Sequence, residues 1–158
     1  MDSEKLKLRK YQDDLNVSGS GIIIMGAWSV VRVLIELFIG TKGASLLEND
    51  RTKDKVIGIA MVVVIVAILS FIIMKVHLYI GLNASRAAKG RAHKEGYFIA
   101  AIITFILSVA SMYFYKSAFQ NLENIDTTIA SILVDLVSIY LLFTIISATI
   151  KIKKIKDT

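Results

Sequence analysis

At 158 residues, 55% hydrophobic and 20% charged, with a net charge of +6, the chain is one domain's worth of sequence with more apolar surface than a soluble globule can bury. Its nine glycines raise the apolar fraction to about 61%, against roughly 45–50% in soluble chains. Zero cysteines and zero prolines exclude a disulfide scaffold and a collagen-like repeat, and a mean hydropathy of +0.64 excludes disorder, which leaves an integral membrane protein.

In chain order, residues 1–20 form a polar, basic tail. Leu8, Tyr11 and Leu15 recur at i, i+3 and i+7 among Lys5, Lys7, Arg9 and Lys10. This pattern predicts a short amphipathic segment lying on the inner leaflet; a solvated tail obeying the positive-inside rule is the alternative. The first apolar block spans about 21–40 and is interrupted by Arg32 and Glu36. The second, 56–80, opens with nineteen uncharged residues from Val56 to Met74, which matches the roughly 30 Å of hydrocarbon to be crossed. Between the second and third blocks, Asn83–Lys89 is helix-forming and Gly90 suits a C-cap, so helix two is expected to run on past the membrane. The third block covers 96–115 and the fourth 128–150; residues 151–158 form a basic tail. Lipid offers backbone amides no partner, so each block is a helix. The runs lack the period-two alternation of a β-barrel. The expected fold is all-α: an integral membrane four-helix bundle in up-down order, with a transmembrane domain over 21–150.

Only Arg32, Glu36, Lys75 and Asp135 of the 32 charged side chains fall inside the blocks. Twelve Lys and Arg lie in the two tails and the second connector, against five in the other loops, which assigns both termini to the cytoplasm. An excess of Ile over Leu points to an AT-rich bacterial genome, hence to an inner, cytoplasmic membrane.

Two groups of residues stand out as candidate sites. Arg32 and Glu36 share one face of helix one with Gly26, Ser29 and Gly40, and helix four carries a matching row of Thr128, Ser131, Asp135 and Ser138. At 1.5 Å per residue, Arg32, Glu36 and Asp135 lie about 14, 8 and 10 Å below the outer surface, so the three can meet in one layer. An unpaired charge at that depth costs about 2.5–3.5 kcal/mol or more, so pairing is expected. The cluster reads either as a buried ion-pair lock between helices one and four or as a proton- or cation-coupling site. The second group is basic: Arg86, Lys89, Arg91 and Lys94 in the connector, with His93 beside them, and Lys151, Lys153 and Lys154 in the tail. It reads as a contact for anionic lipid headgroups or an acidic partner, or as topology anchoring alone.

Other features point to packing or to chance. Ala100, Thr104, Ser108 and Ser111 form a small-residue stripe for helix packing, within the chain or to a second copy or membrane partner. Trp28 is expected in the core, His77 at an interface with Lys75 snorkelling beside it, and Tyr97, Tyr113 and Tyr115 as interfacial anchors. Asn16-Val-Ser and Asn83-Ala-Ser match the glycosylation pattern, but on the cytoplasmic side, and so count as chance. Without Cys there are no thiolate nucleophiles or iron–sulfur clusters, and no Ser–His–acid set, phosphate loop or zinc spacing occurs. No cofactor, metal or nucleic acid is expected. The sequence reads as a non-enzymatic accessory, scaffold or assembly subunit, with a small oligomeric proton- or cation-coupled transporter or channel as the alternative.

Overall fold

A computed structural model of the chain describes residues 2–38, 53–118 and 125–156; within these, the side chains at 2, 36–38, 53–56, 114–118, 125–130 and 156 lie outside the description. The described residues form four helices and no strand: α1 Asp2–Phe38, α2 Lys53–Ala88, α3 Gly96–Ala118 and α4 Ile125–Lys156. All four are long and apolar enough to cross a membrane.

The helices outrun the apolar blocks. Hydropathy marks where lipid begins, but a helix stops only where its backbone is capped or broken, and no proline intervenes. The largest departure is at the N-terminus. The amphipathic segment is not a separate element on the leaflet: α1 is unbroken from Asp2 to Phe38. The Leu8–Tyr11–Leu15 stripe continues in register through Ile22, so one face serves the bundle along its length. Leu15 and Ile22 are fully buried, with Leu8 and Tyr11 packed against the same core.

At the C-terminus of α2 the expected C-cap is present. Gly90 has φ +65°, the Arg91 amide donates to the Arg86 carbonyl at 2.9 Å, and the Gly90 amide donates to the Ala87 carbonyl at 3.1 Å. These two bonds make a Schellman motif, whose left-handed residue is glycine because a Cβ there meets the backbone. The connector to α3 is therefore residues 89–95, with α2 running on past its apolar block to the cap as the sequence leads one to expect.

α1 packs most extensively on α2, then on α4; α3 packs on α4 and touches α2 lightly. The α1–α2 seam is narrow. A Cβ on Gly19 would lie 2.8 Å from the Gly81 carbonyl oxygen and 3.2 Å from Ala84 Cβ, and one on Gly26 would strike His77. Gly19 faces Gly81 while Gly26 faces His77, so the two helices run antiparallel. Small residues are what let two membrane helices approach this closely.

The core lies towards one end, where Leu15, Ile22, Ile80, Ala84, Ala101, Leu142 and Ile145 are buried. Lys151, Arg86 and Lys94 also lie at this end, called here the basic end. Burial is inverted along α2. Its most apolar part, residues 57–72, has Ser70 as its one buried side chain. In water that arrangement would be ruinous, whereas in hydrocarbon an exposed Val or Ile costs nothing.

Several side chains sit elsewhere than the sequence suggests. Trp28 is not core: it is 49% exposed, on the outer side of α1. Tyr97 is not an interfacial anchor but is buried at the start of α3. His77 is packed against Gly26 in the α1–α2 seam, its Nδ1 2.8 Å from the Ile73 carbonyl oxygen. Along the expected stripe on α3, Ala100, Thr104, Ser108 and Ser111 are all half-buried, and Ala100 packs against the core. The fully enclosed α3 residues are Tyr97 and Ala101, with Phe105 half-buried against the same core, 6.4 Å from the Phe143 ring.

Candidate functional site

The polar residues of the bundle collect at two levels. At the basic end, side-chain hydrogen bonds hold the elements in place. Ser85 Oγ of α2 donates to Asn16 Oδ1 of α1 at 2.6 Å. Asn83, itself buried, donates from Nδ2 to the Tyr79 carbonyl at 2.8 Å and accepts the Lys94 amide on Oδ1 at 3.0 Å. Tyr97 and Thr149 join α3 to α4, their oxygens 3.0 Å apart. Thr149 donates its own proton to the Ile145 carbonyl at 2.7 Å, so the Tyr97 hydroxyl is the donor of the pair. Sequence reasoning marked Lys94 as basic and Tyr97 as an interfacial anchor, but gave Asn16, Asn83, Ser85 and Thr149 no structural role. Asn16 and Asn83 stood out only as glycosylation matches, and both side chains are committed to internal hydrogen bonds. A useful signal was available: a lone amide in an Ala-, Gly- and Ser-rich helix is costly to bury without partners.

The seven predicted basic residues fall in different surroundings. Lys151 places its ammonium 5.0 Å from the Tyr11 ring centroid, within cation–π range. Lys153 lies 3.6 Å from Glu95, both largely exposed, in a surface pair of the kind that contributes about 0–1 kcal/mol. Lys154 is exposed on α4, and Lys89 and Arg91 are exposed around the turn. Arg86 and Lys94 are brought together. With Tyr79, Asn83 and His93 they line a 420 Å³ cleft between the end of α2 and the connector. This cleft continues through Tyr79, Asn83 and Arg86 into a 510 Å³ groove between α2 and α3, floored by Val76, Leu78, Leu82 and Ala100. A third cleft, 650 Å³, opens between α3 and α4 over Leu15, Tyr97 and Ile152, with Glu95 and Lys153 at its edge.

The second level carries the intramembrane charges. Arg32 Nη1 of α1 lies 3.5 Å from Asp135 Oδ2 of α4, and the two side chains are 28% and 22% exposed. The expected buried triad is therefore corrected in burial: the pair sits at the edge of the α1–α4 contact, because core packing is concentrated towards the basic end. The Glu36 side chain lies outside the described residues, as do that of Thr128 and the whole of Gly40. Ser138 is buried and donates to the Val134 carbonyl at 3.0 Å, and Ser29 donates to the Met25 carbonyl at 2.9 Å. Ser70 Oγ on α2 is buried with no hydrogen-bond partner among the described residues. The register that sets Gly26 against His77 brings Ser70 to the level of Val33, next to Arg32. Among the described residues no group of three His, Cys, Asp or Glu is placed to hold a metal ion.

Compared with known proteins, the chain matches no family model, no curated protein and no solved structure.

Proposed function

We propose that the chain is a non-enzymatic multi-pass protein of a bacterial inner membrane, acting as an accessory, scaffold or assembly subunit. On this reading its four helices cross in up-down order with both termini in the cytoplasm, where twelve of its Lys and Arg then lie. The observation that carries the reading is how α2 is divided. Its basic end is fastened to α1 and to the connector through Gly81, Ser85 and Asn83, while residues 57–72 present a long apolar face that is almost wholly exposed among the described residues. A helix anchored at one end and bare along the other is suited to meet another membrane helix. The Arg32–Asp135 pair, at 3.5 Å, adds register between α1 and α4.

The test is photo-crosslinking in cells from single exposed positions, Val64 or Ile68 on α2. The expected result is one discrete protein adduct of constant mass, either a second copy or one membrane-protein partner. Adducts with lipid alone at both positions refute the assembly role.

The polar level supports a second reading, a small oligomeric proton- or cation-coupled transporter or channel. Its supporting observation is that a partly exposed Arg32–Asp135 pair shares a layer with the buried Ser70 hydroxyl, which has no partner among the described residues. Asp135→Asn separates the two readings. Under the first it weakens assembly; under the second it leaves assembly intact and abolishes pH-dependent flux in reconstituted vesicles.

A further inference from the structure

The geometry points to a specific site for one anionic phospholipid in the groove between α2 and α3, with its phosphate at Arg86 and Lys94 and an acyl chain along Val76, Leu82 and Ala100. The inference rests on the membrane placement alone and is independent of the accessory role.

Four observations carry it. First, the cleft at the connector and the groove below it share Tyr79, Asn83 and Arg86, so a cationic mouth opens directly into an apolar lane. From Val76 to Arg86 is ten residues, about 15 Å along the helix, comparable with one leaflet of hydrocarbon. Second, no carboxylate lines either part, whereas the larger cleft between α3 and α4 carries Glu95 beside Lys153. Among the described residues lining it, the charge of this groove is therefore uncompensated, which favours an anion over a zwitterion. Third, the mouth is pre-shaped. The Schellman turn at Gly90 reverses the chain, and the buried Asn83 amide grips the Lys94 backbone at 3.0 Å. Arg86 on the helix and Lys94 on the connector thus line the same cleft without a loop having to order on binding. Fourth, α2 and α3 are the least closely packed pair of neighbouring helices, which leaves room for a chain between them. Lys75, at the deep end, has its ammonium over the Phe71 ring, 4.7 Å from the centroid.

Arg86 supplies a planar fork suited to two phosphate oxygens, and Lys94 a point charge beside it. A basic residue near an anionic lipid surface contributes about 1 kcal/mol, or roughly fivefold in affinity. Removing both should weaken binding about 25-fold.

The experiment uses the full chain in neutral maltoside micelles, with bound lipid counted by native mass spectrometry. Phosphatidylglycerol and phosphatidylcholine of equal chain length are titrated in parallel. Inorganic phosphate and glycerol phosphate serve as chain-free competitors. The expected results are retention of one phosphatidylglycerol in preference to phosphatidylcholine and loss of that preference in R86Q/K94Q. Weaker binding of both lipids is expected in Ala100→Phe, which fills the lane. Leu82→Gln, at an exposed lane position, reports on the same lane if Ala100→Phe does not fold. K89Q/R91Q removes two charges from the same connector outside the cleft and should change affinity less than about twofold. Equal affinity for the two lipids overturns the proposal. So does displacement of phosphatidylglycerol by either chain-free anion at matched concentration, or a loss in K89Q/R91Q equal to that in R86Q/K94Q.

Discussion

Replacing Gly81 with alanine tests the α1–α2 seam directly. The new methyl would press on the Gly19 carbonyl oxygen and lie 2.5 Å from Ile23 Cγ1, where ordinary contact begins near 3.4 Å. The first obstacle is backbone, so α1 must move away by about 1 Å, enough to forfeit a quarter to a half of each dispersion contact across the seam. The same movement stretches the 2.6 Å bond between Ser85 and Asn16 towards roughly 3.6 Å, outside bonding range. Overpacking of this kind costs about 1–3 kcal/mol and the lost bond about 0.5–1.5 kcal/mol. Alanine returns about 1 kcal/mol of helix propensity, which leaves a net loss near 2 kcal/mol. Gly58→Ala is the matched control, because nothing lies within 4 Å of a Cβ built there. It should be neutral or stabilising by up to about 1 kcal/mol. Reversible unfolding in mixed micelles, followed by circular dichroism and by the single tryptophan, Trp28, measures both. If the two variants agree within about 0.5 kcal/mol, the close glycine contact is wrong.

Gly90→Ala places a side chain at φ +65° and should cost about 1 kcal/mol, with Gly90→Val costing more; thermal unfolding of the two variants measures the order. Tyr97→Phe removes the donor to Thr149 and should lower stability by about 0.5–1.5 kcal/mol, and adding Thr149→Val should then cost less than it does alone, as a double-mutant cycle will report. Asn83→Ala leaves the Lys94 amide without its acceptor, so hydrogen exchange at Lys94 should accelerate by at least about tenfold while amides in the middle of α3 stay unchanged; uniform acceleration would refute a local clamp.

The parts of the fold legible in the sequence are those set by solvent. The apolar blocks locate four helices because lipid punishes any other backbone, and Gly90 reads as a C-cap because its chemistry is local. Helix length was not legible: Asn16, Ser18, Gly19, Ser20 and Gly21 are cap and turn residue types that suggest an end, yet α1 runs through them, because the small residues there serve the close seam with α2. The places of Tyr97 and Trp28 were not legible either. Hydropathy treats both as interfacial or core types, but which faces inward is decided by helix rotation, and a uniformly apolar helix carries little periodic signal to fix it. Within the candidate sites, residue type showed where cations gather but not which share a cleft. Arg86 and Lys94 are eight residues apart, and it is the fold of the turn, held by Asn83, that joins them.

Because α1 has no break between Asp2 and Phe38, a tilt of the helix as a whole moves both of its ends. From Leu15 to Arg32 is seventeen residues, about 26 Å, so a pivot of about 5° at the level of Leu15 swings Arg32 sideways by roughly 2 Å. That displacement exceeds what a 3.5 Å pair can absorb. A force on the first turns of the chain is thereby coupled to Asp135 about 26 Å away along the helix.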